Sequence, residues 1–357
     1  MTESIQVPDF DHIQDDYVAA LAEGNRRVAT DIAVGLLDRG VAATAIISDL
    51  IAYGQVCVGQ GWQDGEWTVA MEHRASAVAD LVLQTVSDTA MQIPGAPAEG
   101  ERGKALVLCT EGEWHVLPGR MAAETLRLHG FDAQLIGPSV PASDLPLFLD
   151  SDRVGPVALT CSMQLSLVGA WRTISTLRGL GATIVIGGRG FGPEGRWGLA
   201  LGADQWAPDF ASGADLIAAA TQEPTPVPRD PISDPVTSTE IFESSRERER
   251  ILERAGSESL ARWPVLTTDS ARYQATINDL SATLKAIQCA VLVGDDDILS
   301  NYVEWFEAVL RARDLPVAFV ASAFDLLGPV LPDSVPLMRA ATSRALAMCS
   351  AEPVVDL

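Results

Sequence analysis

Positive charge is scarce in this chain. Its 25 lysines and arginines face 48 aspartates and glutamates, giving a formal charge of −23 and a pI near 4.4. Contacts with phosphate backbones need a Lys/Arg surface, so this balance argues against a direct nucleic-acid role. It disfavours adhesion to an anionic membrane surface for the same reason. No apolar run reaches the ~18 residues of a membrane span. The acidic opening, 1–16, has no apolar signal core. Cysteine is sparse: Cys57, Cys109, Cys161, Cys289 and Cys349 are far apart and odd in number, with no CxxC pair. That pattern fits reduced, buried thiols in a cytoplasmic protein. Histidine is rarer still. There are four, His12, His73, His115 and His129, and none follows position 129.

Hydrophobic residues make up 47% of the 357, enough to bury cores in two or three domains. Two stretches look like linkers, 93–103 and the proline-rich 223–235. They divide the chain into 1–95, 100–222 and 236–357. The first part has helical spacing over 28–40, 42–58 and 69–91. Val28, Ile32 and Leu36 recur every four residues, and Gly40 stands where a helix would end. A four-helix bundle is expected. In the second part, short β-rich runs (104–109, 133–136, 157–160, 183–186 and a weaker 203–207) alternate with helical segments at 118–129, 163–179 and 209–221. Such alternation implies a five-stranded, doubly wound, flavodoxin-like parallel sheet, with ligands beyond the carboxyl ends of its strands. The third part shows helical spacing over 239–255, 272–293, 298–313 and 335–347.

Glu113-x-His115 follows the first strand and precedes a helix, with Pro118 suited to the first helical turn. A carboxylate two residues away can take one ring N–H of the histidine and leave the other nitrogen a better metal ligand. Ser162 lies just past the third strand, and Gly187–Gly188 closes the fourth. Glycines there let a large flat ligand approach the backbone. Together these elements resemble the cobalamin-binding domains of corrinoid methyltransferases, mutases and MerR-type light regulators. The acid is Glu where Asp is commoner, and the glycine after the histidine arrives one position late, as Gly119. The resemblance implies that His115 is the lower axial cobalt ligand. It makes Glu113 that ligand's carboxylate partner, with Ser162, Gly187 and Gly188 lining the channel of the nucleotide tail.

Upstream, Trp62 is followed after nine residues by Glu72-His73. Before a cobalamin domain, this spacing resembles that of CarH-type adenosylcobalamin photoreceptors. It implies that Trp62, Glu72 and His73 meet the upper axial adenosyl group, and that His73 can reach cobalt after light breaks the cobalt–carbon bond.

The expectation is a chain that starts directly in the bundle without a DNA-binding segment, and about 120 residues follow the sheet. Bundle, cobalamin sheet and histidine-free helical tail together resemble the photocobilins. That implies a degenerate globin-like domain holding biliverdin or another bilin without a covalent link. Its pocket candidates are Trp263, Arg272, Tyr273, Tyr302, Trp305 and Arg311, with Tyr302, Trp305/Phe306 and Val309 on one helix face. No kinase or second-messenger synthase motif is present. The expectation is a photoreceptor rather than an enzyme, signalling to a separate output protein, and light regulators of this kind imply a homodimer. Two other readings stay open: a corrinoid carrier component of a methyltransferase system, and a cobalamin-binding regulator that ignores light.

Overall fold

The computed structural model describes residues 10–149, 154–222 and 235–350, without the side chains of Phe10 and Asp11. The 223–235 linker lies almost wholly outside the described residues. The chain forms two compact units: 1–162 with 169–229, and 163–168 with 230–357.

The first unit opens with helices α1 (Phe10–Glu23), α2 (Arg26–Asp38), α3 (Ala43–Ala45), α4 (Tyr53–Gln63) and α5 (Val69–Met91). A π-helical segment, Ile46–Ala52, joins α3 to α4, so these pieces make four rods. Asn25 caps α2 and Thr68 caps α5 by accepting backbone N–H bonds. Gly40 takes φ +84°, as a helix stop requires. The buried face of α2 is Ala29, Ala33, Leu36 and Leu37, whereas Val28 is 36% exposed. The four-residue spacing therefore finds the helix, with Leu36 buried and Ile32 packed against the core. Small alanines face inward because they let another helix approach closely. Tyr17, Leu21, Ile46, Ile47, Leu50, Val82 and Val86 fill the bundle core.

After the bundle come β1 (Lys104–Cys109), α6 (Leu117–Leu128), β2 (Asp132–Ile136), α7 (Leu145–Phe148), β3 (Val157–Thr160), α8 (Leu167–Gly179), β4 (Ile184–Gly187), α9 (Arg196–Ala200), β5 (Gln205–Ala207) and α10 (Phe210–Gln222). The sheet is wholly parallel with order β2-β1-β3-β4-β5, the flavodoxin-like order. Leu106 pairs with Val157, and Val157 with Ile184. Val107, Leu108, Leu159, Ile184 and Ile186 are fully buried, as strands covered on both faces must be. The last strand is shorter than its apolar pattern. Asp204 Oδ2 accepts from Ile184 N at 2.8 Å, and Ala203 N donates to Gly198 O, so 203–204 is held as a turn. Likewise 163–166 is not α-helical: Met163 is extended and Gln164–Ser166 is a 3-10 turn.

The second unit contains α11 (Pro235–Arg246), α12 (Arg248–Arg262), α13 (Ser270–Val293), α14 (Asp297–Arg311), α15 (Ala318–Leu327) and α16 (Pro336–Met348). The charged run expected as one helix over 239–255 is two helices, with a break at Glu247. Buried Glu240 explains part of the packing: its two oxygens accept from Leu337 N and Met338 N at 3.0 and 3.1 Å. A carboxylate from α11 thus caps the positive end of α16.

Asp279 on α13 is a different case. Its half-buried carboxylate has no hydrogen-bond partner among the described residues, and burial pushes its pKa up to about 6 from 3.8. A carboxyl whose folded pKa is raised costs stability as pH climbs from its unfolded value to the folded one. Asp279→Asn should therefore stabilise the protein at pH 7 by about 2 kcal/mol and flatten the stability profile between pH 4 and 6. Urea unfolding at pH 4 and pH 7 checks this.

Candidate functional site

The strand order reverses direction at β1 and β3, so the loops leaving their carboxyl ends diverge and open a crevice. The β1 loop carries Glu113 and His115, and the β3 loop carries Ser162. The β1 loop turns tightly through Gly112 at φ +83°, with Glu113 N donating to Thr110 O at 3.0 Å. Pro118 then opens α6. Glu113 is 1% exposed yet carries three hydrogen bonds. Its Oε1 accepts from His115 N at 2.9 Å and meets His115 Nδ1 at 2.5 Å, while Oε2 accepts from Ser162 N at 2.8 Å. One carboxylate therefore ties together the two loops that flank the crevice.

Burial opposes the charge on Glu113, but the His115 and Ser162 hydrogen bonds win and hold its pKa below the ordinary carboxyl value. The Glu113 hydrogen bond raises the His115 pKa, against burial. The charges of Glu113 and Glu72 add to that rise, and Arg189 opposes it. With Nδ1 committed to Glu113, Nε2 is the nitrogen left to a ligand, and the His115 side chain is 57% exposed. One imidazole nitrogen holds a metal only where other ligands supply the remaining positions, as a corrin macrocycle does.

A cavity of about 180 Å³ runs along the carboxyl ends of β3, β4 and β5. Ser162, Gly187, Gly188, Pro118 and Asp209 are in its wall. The two glycines differ. Gly188 has φ +104°, and an added Cβ would lie 2.3 Å from Cys161 O, so the fold itself demands glycine there. An added Cβ at Gly187 meets only Ala207 O, at 3.8 Å. What Gly187 leaves open is the cavity, and the lining fits a slender ligand group such as a nucleotide tail. Gly187→Ala should change the unfolding free energy by less than about 1 kcal/mol while weakening corrinoid binding at least about tenfold. Denaturation and spectral titration measure the two effects separately.

The bundle contributes from the other side. Its helix α5 packs on α6 through Asp80–Arg120 at 2.8 Å, Asp88–Arg127 at 2.6 Å, and Ser87 bonded to Glu124. Leu117 and Met121 of α6 join the bundle's apolar core. This seam brings the first turn of α5, with Glu72 and His73, toward the His115 edge, which is why the Glu72 charge is felt at His115. Glu72 Oε2 takes His73 Nδ1, and the His73 side chain is 74% exposed. Trp62 is half-buried in the last turn of α4. The two Glu/His pairs therefore belong to one region of one unit.

Sequence reading missed Arg189, Glu111 and Gly169. Arg189 directly follows the Gly-Gly pair, and its position just past a strand's carboxyl end was a readable signal. Glu111 and Gly169 are important only through a contact between loops, which no local pattern announces.

In the second unit, the aromatic residues form a packed cluster. Tyr302 is 2% exposed and shares a 2.9 Å hydrogen bond with Thr283. Trp263 lies 5.3 Å from Phe319, and Tyr302 lies 6.1 Å from half-buried Trp305 and 6.4 Å from Phe324. Tyr273 packs over Gly256 of α12. The two arginines stand apart from this stripe in their bonding. Arg272 pairs with Asp269 at 3.3 Å, and Arg311 pairs with Glu307 at 2.8 Å, which also accepts from Ser350. Cys289 is fully buried and its thiol is pushed up to about 11 by burial.

Comparisons with known proteins bear on this geometry. Residues 13–86 match the family model of the B12 binding domain. The monomethylamine corrinoid protein of Methanosarcina barkeri aligns with 58% of this chain and 98% of its own, at 19% identity and a TM-score of 0.50. That likeness is one of fold. A cobalamin-binding protein from Desulfitobacterium hafniense aligns with 59% of this chain and 97% of its own, at 19% identity and a TM-score of 0.30. No curated protein matches the chain significantly. Among the described residues, no helix is long and apolar enough to cross a membrane. The N-terminal bundle thus matches the B12 binding domain over residues 13–86, and it precedes a five-stranded parallel sheet with Glu113, His115 and Ser162 at its carboxyl edge.

Proposed function

We propose that this protein is a light sensor that binds adenosylcobalamin in its first unit and a bilin, such as biliverdin, in its second. What supports the reading is the charge of Glu72, which helps raise the His115 pKa, with His73 beside Glu72 on α5 and Trp62 in the last turn of α4. Adenosylcobalamin supplies a cobalt–carbon bond that light breaks. His115 would hold the cofactor through Nε2, oriented by Glu113. Trp62 and Glu72 would meet its adenosyl group. His73 is solvent-exposed and bonded to Glu72 through Nδ1, so Nε2 is the nitrogen that a movement of α5 would bring to the cofactor. A change of light then shifts the population of bundle positions by the difference in their binding. The second unit is read as a degenerate globin-like domain. Its support is the cluster of Trp263, Tyr302 and Trp305, with the unpartnered carboxylate of Asp279 near Tyr302 as an acceptor for pyrrole N–H groups. Signalling passes to a separate output protein.

A second reading is favoured by the fold likeness to a monomethylamine corrinoid protein: a corrinoid carrier for methyl transfer. Absorption spectra separate the two. Protein reconstituted in the dark with adenosylcobalamin and biliverdin should change its cobalamin bands under green light and its bilin band under red light. His115→Ala should abolish the protein-bound cobalamin spectrum. Absence of a light response in the adenosyl complex would leave the carrier.

A further inference from the structure

Beside Glu72 lies a polar chain in which the acceptors outnumber the protons. Ser76, one turn after Glu72 on α5, places its Oγ 3.0 Å from Glu72 Oε1 and 2.9 Å from Gln55 Oε1. A serine hydroxyl has one proton and cannot donate to both acceptors. Meanwhile Gln55 Nε2 is buried with no partner among the described residues. A buried amide N–H₂ in that condition is expensive. Both problems vanish with a half-turn of the Gln55 amide. Nε2 then donates to Ser76 Oγ, and Ser76 gives its single proton to the Glu72 carboxylate. The remaining orphan is a carbonyl oxygen, the less costly group to leave unpaired. In this arrangement the bonds converge on the Glu72 carboxylate. Gln55 donates to Ser76, Ser76 donates to Glu72, and His73 Nδ1 meets the other Glu72 oxygen.

Gln55 also lies two turns before Trp62 on α4, and so on the same helix face. Glu72 and Ser76 share a face of α5 by their four-residue spacing. The chain therefore runs from the Trp62 side of α4 to the acid that meets His73, linking the upper-site residues through side chains that no motif includes.

We propose that Gln55 and Ser76 are positioning residues of the upper-ligand site, fixing the rotamer of Glu72 so that the site prefers a large, hydrogen-bonding upper group over a methyl group. The inference rests on the adenosylcobalamin reading. Neither residue is assigned contact with the cofactor. A hydrogen bond to a carboxylate is worth enough to shift a preference about tenfold.

The experiment is a spectral titration in the dark of the full chain with adenosylcobalamin and, separately, with methylcobalamin. For Ser76→Ala, the ratio of the two dissociation constants should fall about tenfold toward unity, with methylcobalamin affinity unchanged within about twofold. Gln55→Leu should act in the same direction, and Ser76→Thr, which keeps the hydroxyl, should restore the ratio. A structural role alone would lower the unfolding midpoint without moving the ratio. Ser76→Ala that loses thermal stability but keeps the wild-type ratio would make the chain a plain clasp between α4 and α5 and overturn the proposal. A wild-type protein that binds both cobalamins with equal affinity would overturn the adenosyl reading first, and this inference with it. If Ser76→Ala does not fold, Gln55→Leu decides by the same ratio.

Discussion

Gly169→Ala should destabilise the first unit by at least about 3 kcal/mol, the largest effect expected of any single methyl group added to this chain. Gly169 lies in the first turns of α8. A Cβ there would stand 1.7 Å from Glu111 O, 2.7 Å from Glu111 C and 3.3 Å from Glu111 Cα. These are backbone atoms, and several bonds hold them in place. Glu111 N donates to Thr173 Oγ1 at 3.1 Å, and Thr173 Oγ1 donates to Gly169 O at 3.0 Å. The Glu111 carboxylate takes Ala142 N at 3.0 Å and Arg172 Nη1 at 2.9 Å. The strand-one loop and α8 therefore touch main chain to main chain, and neither can retreat without breaking this circuit. Because the loop carries Glu113 and His115, corrinoid affinity should fall with stability. Urea unfolding followed by circular dichroism measures the first effect. Gly35→Ala is the control: a Cβ there meets nothing within 4 Å, so helix propensity alone should stabilise α2 by up to about 1 kcal/mol. Equal stability of Gly169→Ala and wild type would refute the close contact.

Glu113→Ala is expected to cost about 3 kcal/mol in the absence of any cofactor. The substitution deprives three donors at once, the backbone N–H groups of His115 and Ser162 and the His115 ring. Glu113→Gln is no rescue, because its amide N–H₂ would face one of those donors. The pH dependence gives an independent check. The Glu113 pKa is lowered in the folded state, so its contribution is complete above the ordinary carboxyl value of 4.5 and is lost as pH falls through the folded value. The His115 pKa is raised, so its contribution is complete below 6.5 and is lost as pH rises through the folded value. The pair therefore stabilises most between about pH 4.5 and 6.5. A wild-type stability profile with a shoulder in that window, absent from Glu113→Ala, is the expected outcome. Superimposable profiles would show that the pair is not coupled to folding.

The same residues show how far sequence reading extends. Glu113, His115, Ser162 and Gly188 were legible because strand, loop and helix alternate with a fixed period, and the end of a parallel strand is a predictable place. Pro118 marked the helix after the loop by its missing N–H. Trp62 and Glu72-His73 were visible as a spacing, but that the Glu72 charge acts on His115 is decided by how the bundle packs on the sheet. The spacing of Val28, Ile32 and Leu36 announced α2, but that Ala29 and Ala33 share its buried face was not legible, because alanine carries little hydrophobic weight in a periodic pattern. The last strand was drawn too long because apolar content cannot reveal the Asp204 side chain that holds the backbone in a turn.

Local sequence thus determined the alternation of helices and strands, the parallel sheet and the residues at its carboxyl edge. Those features follow from periodicity and backbone stereochemistry, which act over a few residues. Tertiary structure alone decided that Gly169 must yield to Glu111, that Gly187 opens on a cavity while Gly188 serves the backbone, and that Gln55 and Ser76 stand behind Glu72. Each of these depends on which distant side chain or carbonyl comes within about 4 Å, a matter of packing that one-dimensional spacing does not encode.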